Sequence, residues 1–264
     1  MTELSEATAR PTEPVIDREH IDAVIFDMDG VITDTARVHS AVWKRLFDEY
    51  LRAHTEKTGA EFREFTDEDY RAYVDGKPRY DGVRSFLASH DIELAEGSPD
   101  DAPGDSTVQA LGNRKNGFFL EALYESGADA YPHAVDLVHR LQAAGIGTAV
   151  ISASLNAAEV LGSAGVGDLF RLRIDGVVAA EEGLAGKPDP AVFLEATRRL
   201  GFEASRAVVV EDAQAGVEAG SRGGFALVIG VDRGDAEAAL LANGADVVVD
   251  DLANVRVVEG GVSL

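Results

Sequence analysis

The chain contains no cysteine. Disulfide bonds, thiolate nucleophiles, cysteine-held zinc and iron–sulfur clusters are excluded together. The absence fits a reducing compartment. Long apolar runs are missing too: none approaches the ~18 residues of a membrane-spanning helix, and no membrane partner is expected. The stretch MTELSEATARPTEPVIDREH is polar and acidic. It lacks the basic start and apolar middle of a secretory signal. The expectation is a cytoplasmic protein with a disordered tail over residues 1–18. Positive charge is also scarce. Against 47 Asp and Glu stand 24 Lys and Arg, a net charge of −23. Such a surface repels a nucleic-acid backbone, so no nucleic-acid partner is expected. A small phosphorylated substrate remains allowed, because a local basic cluster overrides the global sign. A monomer is expected.

What is present reads as a folded protein. The 264 residues are 45% apolar and 27% charged, a globular composition. The length corresponds to one large domain or two smaller ones. IDAVIFD at 21–27, GTAVIS at 147–152, RAVVVED at 206–212, FALVIGV at 225–231 and ADVVVD at 245–250 are short, β-branched and almost wholly apolar. Such runs suit strands buried on both faces of a parallel sheet. A further short strand is expected near 172–175. Helical spacing marks 36–53, 67–74, 79–89 and 107–125, then 133–144, a helix from Asn156, 190–200, the segment AQAGVEAGS and 235–242. The stretch 91–106, DIELAEGSPDDAPGDS, reads as loop. The strand–helix series therefore opens at 21–30 and resumes after about residue 130, with a helical block between. The expected organisation is an α/β core of residues 19–35 and 128–264, a doubly wound parallel sheet, carrying an inserted helical cap at 36–127.

Four polar clusters follow expected strand ends, the edge at which open α/β sheets bind ligands. Asp27 and Asp29 are carboxylates one residue apart, which repel unless a cation or proton lies between them. Glu211-Asp212 adds two acids at a second strand end. A hard divalent ion such as Mg²⁺ suits these oxygen ligands. Lys187 offers a cation to a phosphate and Ser152 a hydroxyl donor. Singly, each signal is weak: Asp-x-Asp is commonly a turn, Lys-Pro a surface loop, and Asp212 a helix N-cap. Together they suit phosphoryl transfer, in which positioning and charge neutralisation do most of the catalysis.

The run Phe26-Asp27-Met28-Asp29-Gly30-Val31, with Thr33-Asp34-Thr35 after it, resembles the first motif of the haloacid dehalogenase (HAD) superfamily. Ser152, Lys187 and Glu211-Asp212 resemble its second, third and fourth motifs, in the family's order. The helical block sits where that family places a C1-type cap. The resemblance implies that Asp27 is a nucleophile forming an aspartyl-phosphate and that Asp29 is the general acid and base. It implies Mg²⁺ held by Asp27, the backbone carbonyl of Asp29, and Asp212, with Glu211 as ligand or support. Ser152 and Lys187 would bind the transferring phosphoryl group.

A narrower resemblance is to the β-phosphoglucomutase subfamily. His39 and Trp43 stand where its hinge and cap-packing residues do. Asp75-Gly76-Lys77-Pro78-Arg79 resembles its Gly-x-x-Arg loop, which makes Gly76 and Arg79 candidates for binding the non-reacting phosphate. Arg114-Lys115-Asn116 resembles its second cap motif, and Ser152-Ala153-Ser154-Leu155-Asn156 its core loop. Lys115, Asn116, Ser154 and Asn156 thereby become candidate substrate contacts. Leu155 departs from the pattern, which often has Lys or Arg there, and the acidic loop 91–105 is longer than in compact caps. The implied activity is interconversion of β-glucose 1-phosphate and glucose 6-phosphate. Hydrolysis of a sugar phosphate or other small phosphomonoester is the alternative, and a non-catalytic binding protein on the same scaffold a third.

Overall fold

The structure is a computed structural model that describes residues 13–59, 61–234, 236–259 and 262–263. Its centre is a six-stranded sheet, parallel throughout, in the order β4-β3-β2-β5-β6-β7. The strands are β2 (Ala23–Asp27), β3 (Gly147–Ile151), β4 (Arg173–Ile174), β5 (Ala207–Glu211), β6 (Leu227–Val231) and β7 (Val247–Val249). Every residue of β2 and β5 is buried, as near-continuous apolar runs require in a sheet covered on both faces. Helices α5 (Pro132–Ala143), α6 (Ala157–Ser163), α7 (Gly176–Glu182), α8 (Ala191–Leu200), α9 (Gln214–Arg222) and α10 (Glu237–Ala242) complete the α/β alternation. One apolar layer gathers Phe26, Val150 and Leu137; the opposite layer gathers Ile25, Val209 and Phe193. No helix among the described residues is long and apolar enough to cross a membrane.

Between β2 and α5 the chain makes a separate cluster of helices. These are α1 (Ala36–Thr58), α2 (Asp67–Asp69) running into a π-helical turn at Tyr70–Val74, α3 (Arg79–Ser89) and α4 (Val108–Ser126). They share an aromatic core of their own, in which Phe47 stacks on Trp43 at 5.2 Å and packs against Phe86 at 3.9 Å between ring centroids. Thr107 caps α4 by accepting from the Ala110 amide. Loop 91–106 is pinned rather than loose: Asn113 Nδ2 donates to the carbonyls of Pro99 (3.0 Å) and Asp101 (2.9 Å). The chain leaves and rejoins the sheet through two adjacent passages, where the Asp34 amide donates to the Asp129 carbonyl at 2.9 Å and the Tyr131 amide to the Ile32 carbonyl at 2.9 Å.

Some expectations are corrected. The tail expected over 1–18 lies outside the described residues for 1–12. Within the remainder Val15–Asp17 forms β1, which pairs in parallel with β8 (Arg256–Glu259); β9 (Val262–Ser263) pairs with β8 in turn. Ile16, fully buried, anchors that strand. The single helix expected at 67–74 is a short α-helix followed by a π turn. Helix α7 was not expected; Asp175 starts it by accepting from the amides of Val177 and Val178.

Candidate active site

All four polar clusters reach the carboxyl edge of the sheet. Because β2, β3 and β5 are neighbours in register, Asp27 lies opposite Ile151, one residue before Ser152, and β5 brings Glu211 to the same edge. Their carboxylates do not sit alone. Lys187 is buried, and its Nζ donates to Asp27 Oδ1 and, at 2.6 Å, to Glu211 Oε2. Glu211 is fully buried, and its other oxygen accepts from the amides of Asp212 (3.2 Å) and Ala213 (3.0 Å). Both oxygens of Glu211 are thus engaged in holding Lys187 and the loop that carries Asp212.

The second carboxylate of the first motif is held differently. Asp29 accepts from Thr35 Oγ1 at 2.5 Å and from Ser152 Oγ at 3.2 Å, and His39 Nε2 lies 3.5 Å away. His39 Nδ1 is 2.8 Å from Lys115 Nζ. Lys115 also lies 5.0 Å from the centre of the Trp43 ring. Trp43 is thus both core packing and part of the cavity wall. From α3, Arg79 Nη2 donates to Asn116 Oδ1 at 2.7 Å; from the loop after β3, Asn156 Nδ2 donates to the same oxygen at 2.7 Å. Ser154 accepts from the Asn156 amide and donates its own amide to Ser152 Oγ.

One cavity connects these groups. Asp27, Asp29, Glu211 and Asp212 lie at one end; His39, Trp43, Gly76, Arg79, Lys115, Ser154 and Asn156 complete its wall. Ser152 and Lys187 face the neighbouring cavity, and Asn116 stands behind Arg79 and Asn156. Its volume is about 70 Å³, whereas small-molecule sites span ~300–1,000 Å³. The helical cluster is therefore closed down on the sheet edge. Tyr70 and Val74 of the wall escaped the sequence reading, and Asp75 and Lys77 entered it only as members of the loop that carries Gly76 and Arg79. Arg233 escaped it also. It lies 3.8 Å from the Tyr131 ring centre and donates to the Gly30 carbonyl at 2.6 Å, bracing the Asp27–Gly30 loop.

Electrostatics divide the cavity. Burial, and then Glu211, push the Asp27 carboxyl well above the usual range despite Lys187. Burial and Asp75 do the same to Asp212, and burial raises Asp75 to about 6. Lys187 is raised as well: burial opposes its charge, but Asp27 and Glu211 outweigh burial and hold it protonated. Burial also disfavours ionised Asp29, yet His39, Thr35 and Ser152 outweigh it and lower the carboxyl to about 2. At the far end burial, then Arg79, lowers Lys115 to about 7.

The acid end fits a hard divalent cation. Oxygens of Asp27, Glu211 and Asp212 all lie within 4.8 Å of one another, and their mutual repulsion is what a cation relieves. The backbone makes room as well. Gly30 has φ +81°, and a Cβ there would stand 1.7 Å from Asp212 Oδ2. Gly30→Ala is expected to displace Asp212 and weaken divalent-cation binding roughly tenfold or more, since the left-handed backbone alone costs a side chain ~1–2 kcal/mol. Titration calorimetry with MgCl₂ checks this; affinity within about twofold of wild type contradicts it.

The family model described as "Hydrolase: haloacid dehalogenase-like hydrolase" matches residues 21–224, the span that carries all four clusters. The chain belongs to this family. It is an HAD enzyme of β-phosphoglucomutase-like type, and enzymes of this family generally use a divalent metal. It is 47% identical over 241 residues to the β-phosphoglucomutase of Mycobacterium tuberculosis, covering 90% of this chain and 92% of that protein. It is 42% identical over 252 residues to part of an uncharacterized glycosyl hydrolase of the same species, covering 95% of this chain but 19% of that longer protein. Among solved structures, the β-phosphoglucomutase of Clostridium difficile has TM-score 0.66 at 26% identity, covering 88% and 92% of the two chains.

Lys115 gives a prediction of stability against pH. Its pKa is about 7 in the folded protein and ~10.4 in a free chain. The unfolded chain therefore binds more protons between these values. The penalty for burying Lys115 is complete below about pH 7 and fades as pH rises toward 10. Lys115→Met is expected to raise the melting temperature at pH 6–7, with the gain shrinking by pH 10. Thermal melts across that range test it; a gain independent of pH contradicts it.

Proposed function

We propose that this HAD enzyme is a Mg²⁺-dependent β-phosphoglucomutase, converting β-glucose 1-phosphate to glucose 6-phosphate through a phosphorylated Asp27. The observation that carries the reading is the two-ended cavity. One end gathers the acids and Lys187; the other gathers Arg79, Lys115 and Asn156. A simple hydrolase needs the first end only. A mutase passes through a bisphosphate and needs a seat for each phosphate. The 47% identity to a β-phosphoglucomutase along nearly the whole of both chains supports it. The glycosyl hydrolase does not bear on the reading, because this chain matches only a fifth of that protein.

In this reading residues 36–127 are a cap that opens and closes over a core of 19–35 and 128–264. Asp27 attacks phosphorus, forming an O–P bond as the bond to the leaving sugar oxygen breaks. Asp29 serves as acid and base, handing the leaving sugar oxygen the proton it takes from an attacking sugar hydroxyl. Its carboxyl near 2 keeps it ionised at neutral pH, the form that takes the proton from a sugar hydroxyl attacking phosphorylated Asp27. Lys187 and Ser152 steady the transferring group. Asp27, Asp29 and Asp212 would hold Mg²⁺, with Glu211 in support; bound there, the ion neutralises charge on the phosphoryl oxygens. Arg79 offers the distal phosphate a bidentate fork. Cap closure excludes the water that would hydrolyse the aspartyl-phosphate.

A phosphatase acting on a sugar phosphate or other small phosphomonoester is the second reading. Leu155 favours it: it is 38% exposed in the cavity wall and brings no cation to the distal end. One assay separates the two. Protein, β-glucose 1-phosphate, Mg²⁺ and a trace of glucose 1,6-bisphosphate are mixed, with glucose 6-phosphate and free phosphate read in parallel. The mutase yields glucose 6-phosphate with little free phosphate. Free phosphate without glucose 6-phosphate overturns the mutase.

A further inference from the structure

Two hydrogen-bond donors from different parts of the fold converge on one neutral oxygen. Arg79 is on α3 of the helical cluster and Asn156 is on the sheet edge, yet both donate to Asn116 Oδ1 at 2.7 Å. Each of these contacts is short enough to be a good hydrogen bond. Among the described residues Arg79 has no carboxylate within salt-bridge distance, although most of the described arginines do, among them Arg45, Arg84, Arg114 and Arg206. Partly buried, with burial acting against its charge, its guanidinium wants an anion and receives an amide oxygen. An acceptor that takes a guanidinium and an amide N–H together is placed as a phosphate oxygen would be. The bond from Asn156 also crosses from the helical cluster to the sheet, and the cavity beneath is closed to about 70 Å³.

We propose that Asn116 is a placeholder for the distal phosphate. Its amide oxygen holds Arg79 and Asn156 in their receiving positions and latches the cap shut while no anion is bound; an incoming phosphate must displace it. Asn116 is thus a positioning residue that competes with the ligand, the reverse of the substrate contact implied by its place in the cap motif. The latch keeps the site closed to water at the stage when only Asp27 carries phosphate. The proposal rests on the reading of Arg79 as part of the distal phosphate seat.

The test uses inorganic phosphate and full-length protein freed of divalent ions. Without a cation, the acids around Asp27 repel phosphate, so binding reports the distal end. Calorimetry is expected to show Arg79→Ala losing phosphate binding, whereas Asn116→Ala tightens it roughly three- to tenfold, the equivalent of one or two competing hydrogen bonds. Asn116→Asp, which puts a carboxylate beside Arg79, is expected to weaken it more than tenfold. In hydrogen exchange without ligand, Asn116→Ala is expected to lose protection in segments 76–84 and 152–158. Alanine suits this interior helix position, so the variant is expected to fold. If Arg79→Ala binds phosphate as wild type does, the distal seat itself is wrong. If Arg79→Ala loses binding and Asn116→Ala loses it too, or exchange in the free protein is unchanged, the seat stands and the placeholder is overturned.

Discussion

Asp27→Asn is expected to abolish phosphoryl transfer, with kcat falling on the order of 10⁴-fold or more, as when a covalent nucleophile is removed. The substitution preserves shape at the end of β2. It removes one of the buried acids that crowd Lys187, so the fold is expected to remain as stable as wild type or to gain slightly. Burial and Glu211 already disfavour the ionised Asp27 carboxyl, and a neutral amide is spared that cost. Lys187 keeps its 2.6 Å partner in Glu211. The decisive measurement is trapping of the phosphoenzyme. Acid-quenched wild type incubated with a labelled phosphoryl donor and Mg²⁺ should retain label in the peptide containing Asp27, and the variant should retain none. Label found in the variant, or hydrolysis above about one per cent of wild type, would falsify a covalent role for Asp27.

The contrast between Asp27 and Asp75 explains what a sequence shows and what it hides. Asp27 ends a fully apolar five-residue strand, and an acid at that point has no structural reason to be there. The same holds for Glu211 at the end of β5. Their convergence follows from strand order, which the strand–helix alternation already implies. Asp75 heads the Asp75–Arg79 loop, in which the resemblance singles out only Gly76 and Arg79. Only the closing of the helical cluster brings it to the cavity wall shared with Asp212. Arg233 is similarly silent: its partner is the Gly30 carbonyl, 203 residues away, and a backbone acceptor leaves no mark in a sequence. Strand β1 is three residues long and pairs with β8 near the other end of the chain, too short and too remote for periodicity to reveal. Asn116 was legible as a motif member. That its oxygen serves two donors needed the packing of three elements.

Arg79→Ala is expected to separate the two ends of the cavity. In a mutase, a sugar monophosphate meets phosphorylated Asp27 with its own phosphate at the distal end, where Arg79 is the principal cation. Losing a charge-assisted, bidentate contact there is expected to lower kcat/KM for β-glucose 1-phosphate roughly 10²- to 10³-fold. Part of the loss should appear in kcat, because binding energy at the remote phosphate orients the hydroxyl toward Asp27 and keeps the cap closed. A small aryl phosphate has one phosphate, and that must occupy the Asp27 end for its ester to be cleaved. Its hydrolysis is expected to change less than about threefold. Lys115 does not substitute for the missing guanidinium, since its buried ammonium is a single point charge held beside His39 Nδ1 and cannot supply the planar fork. Arg79→Lys should recover little, because a point charge on a flexible stem does not reproduce the planar fork. The comparison is internal, one variant against two substrates, so a general loss of folding cannot imitate it. Equal loss on both substrates would remove Arg79 from the distal seat and, with it, the main reason to read this cavity as a mutase rather than a phosphatase.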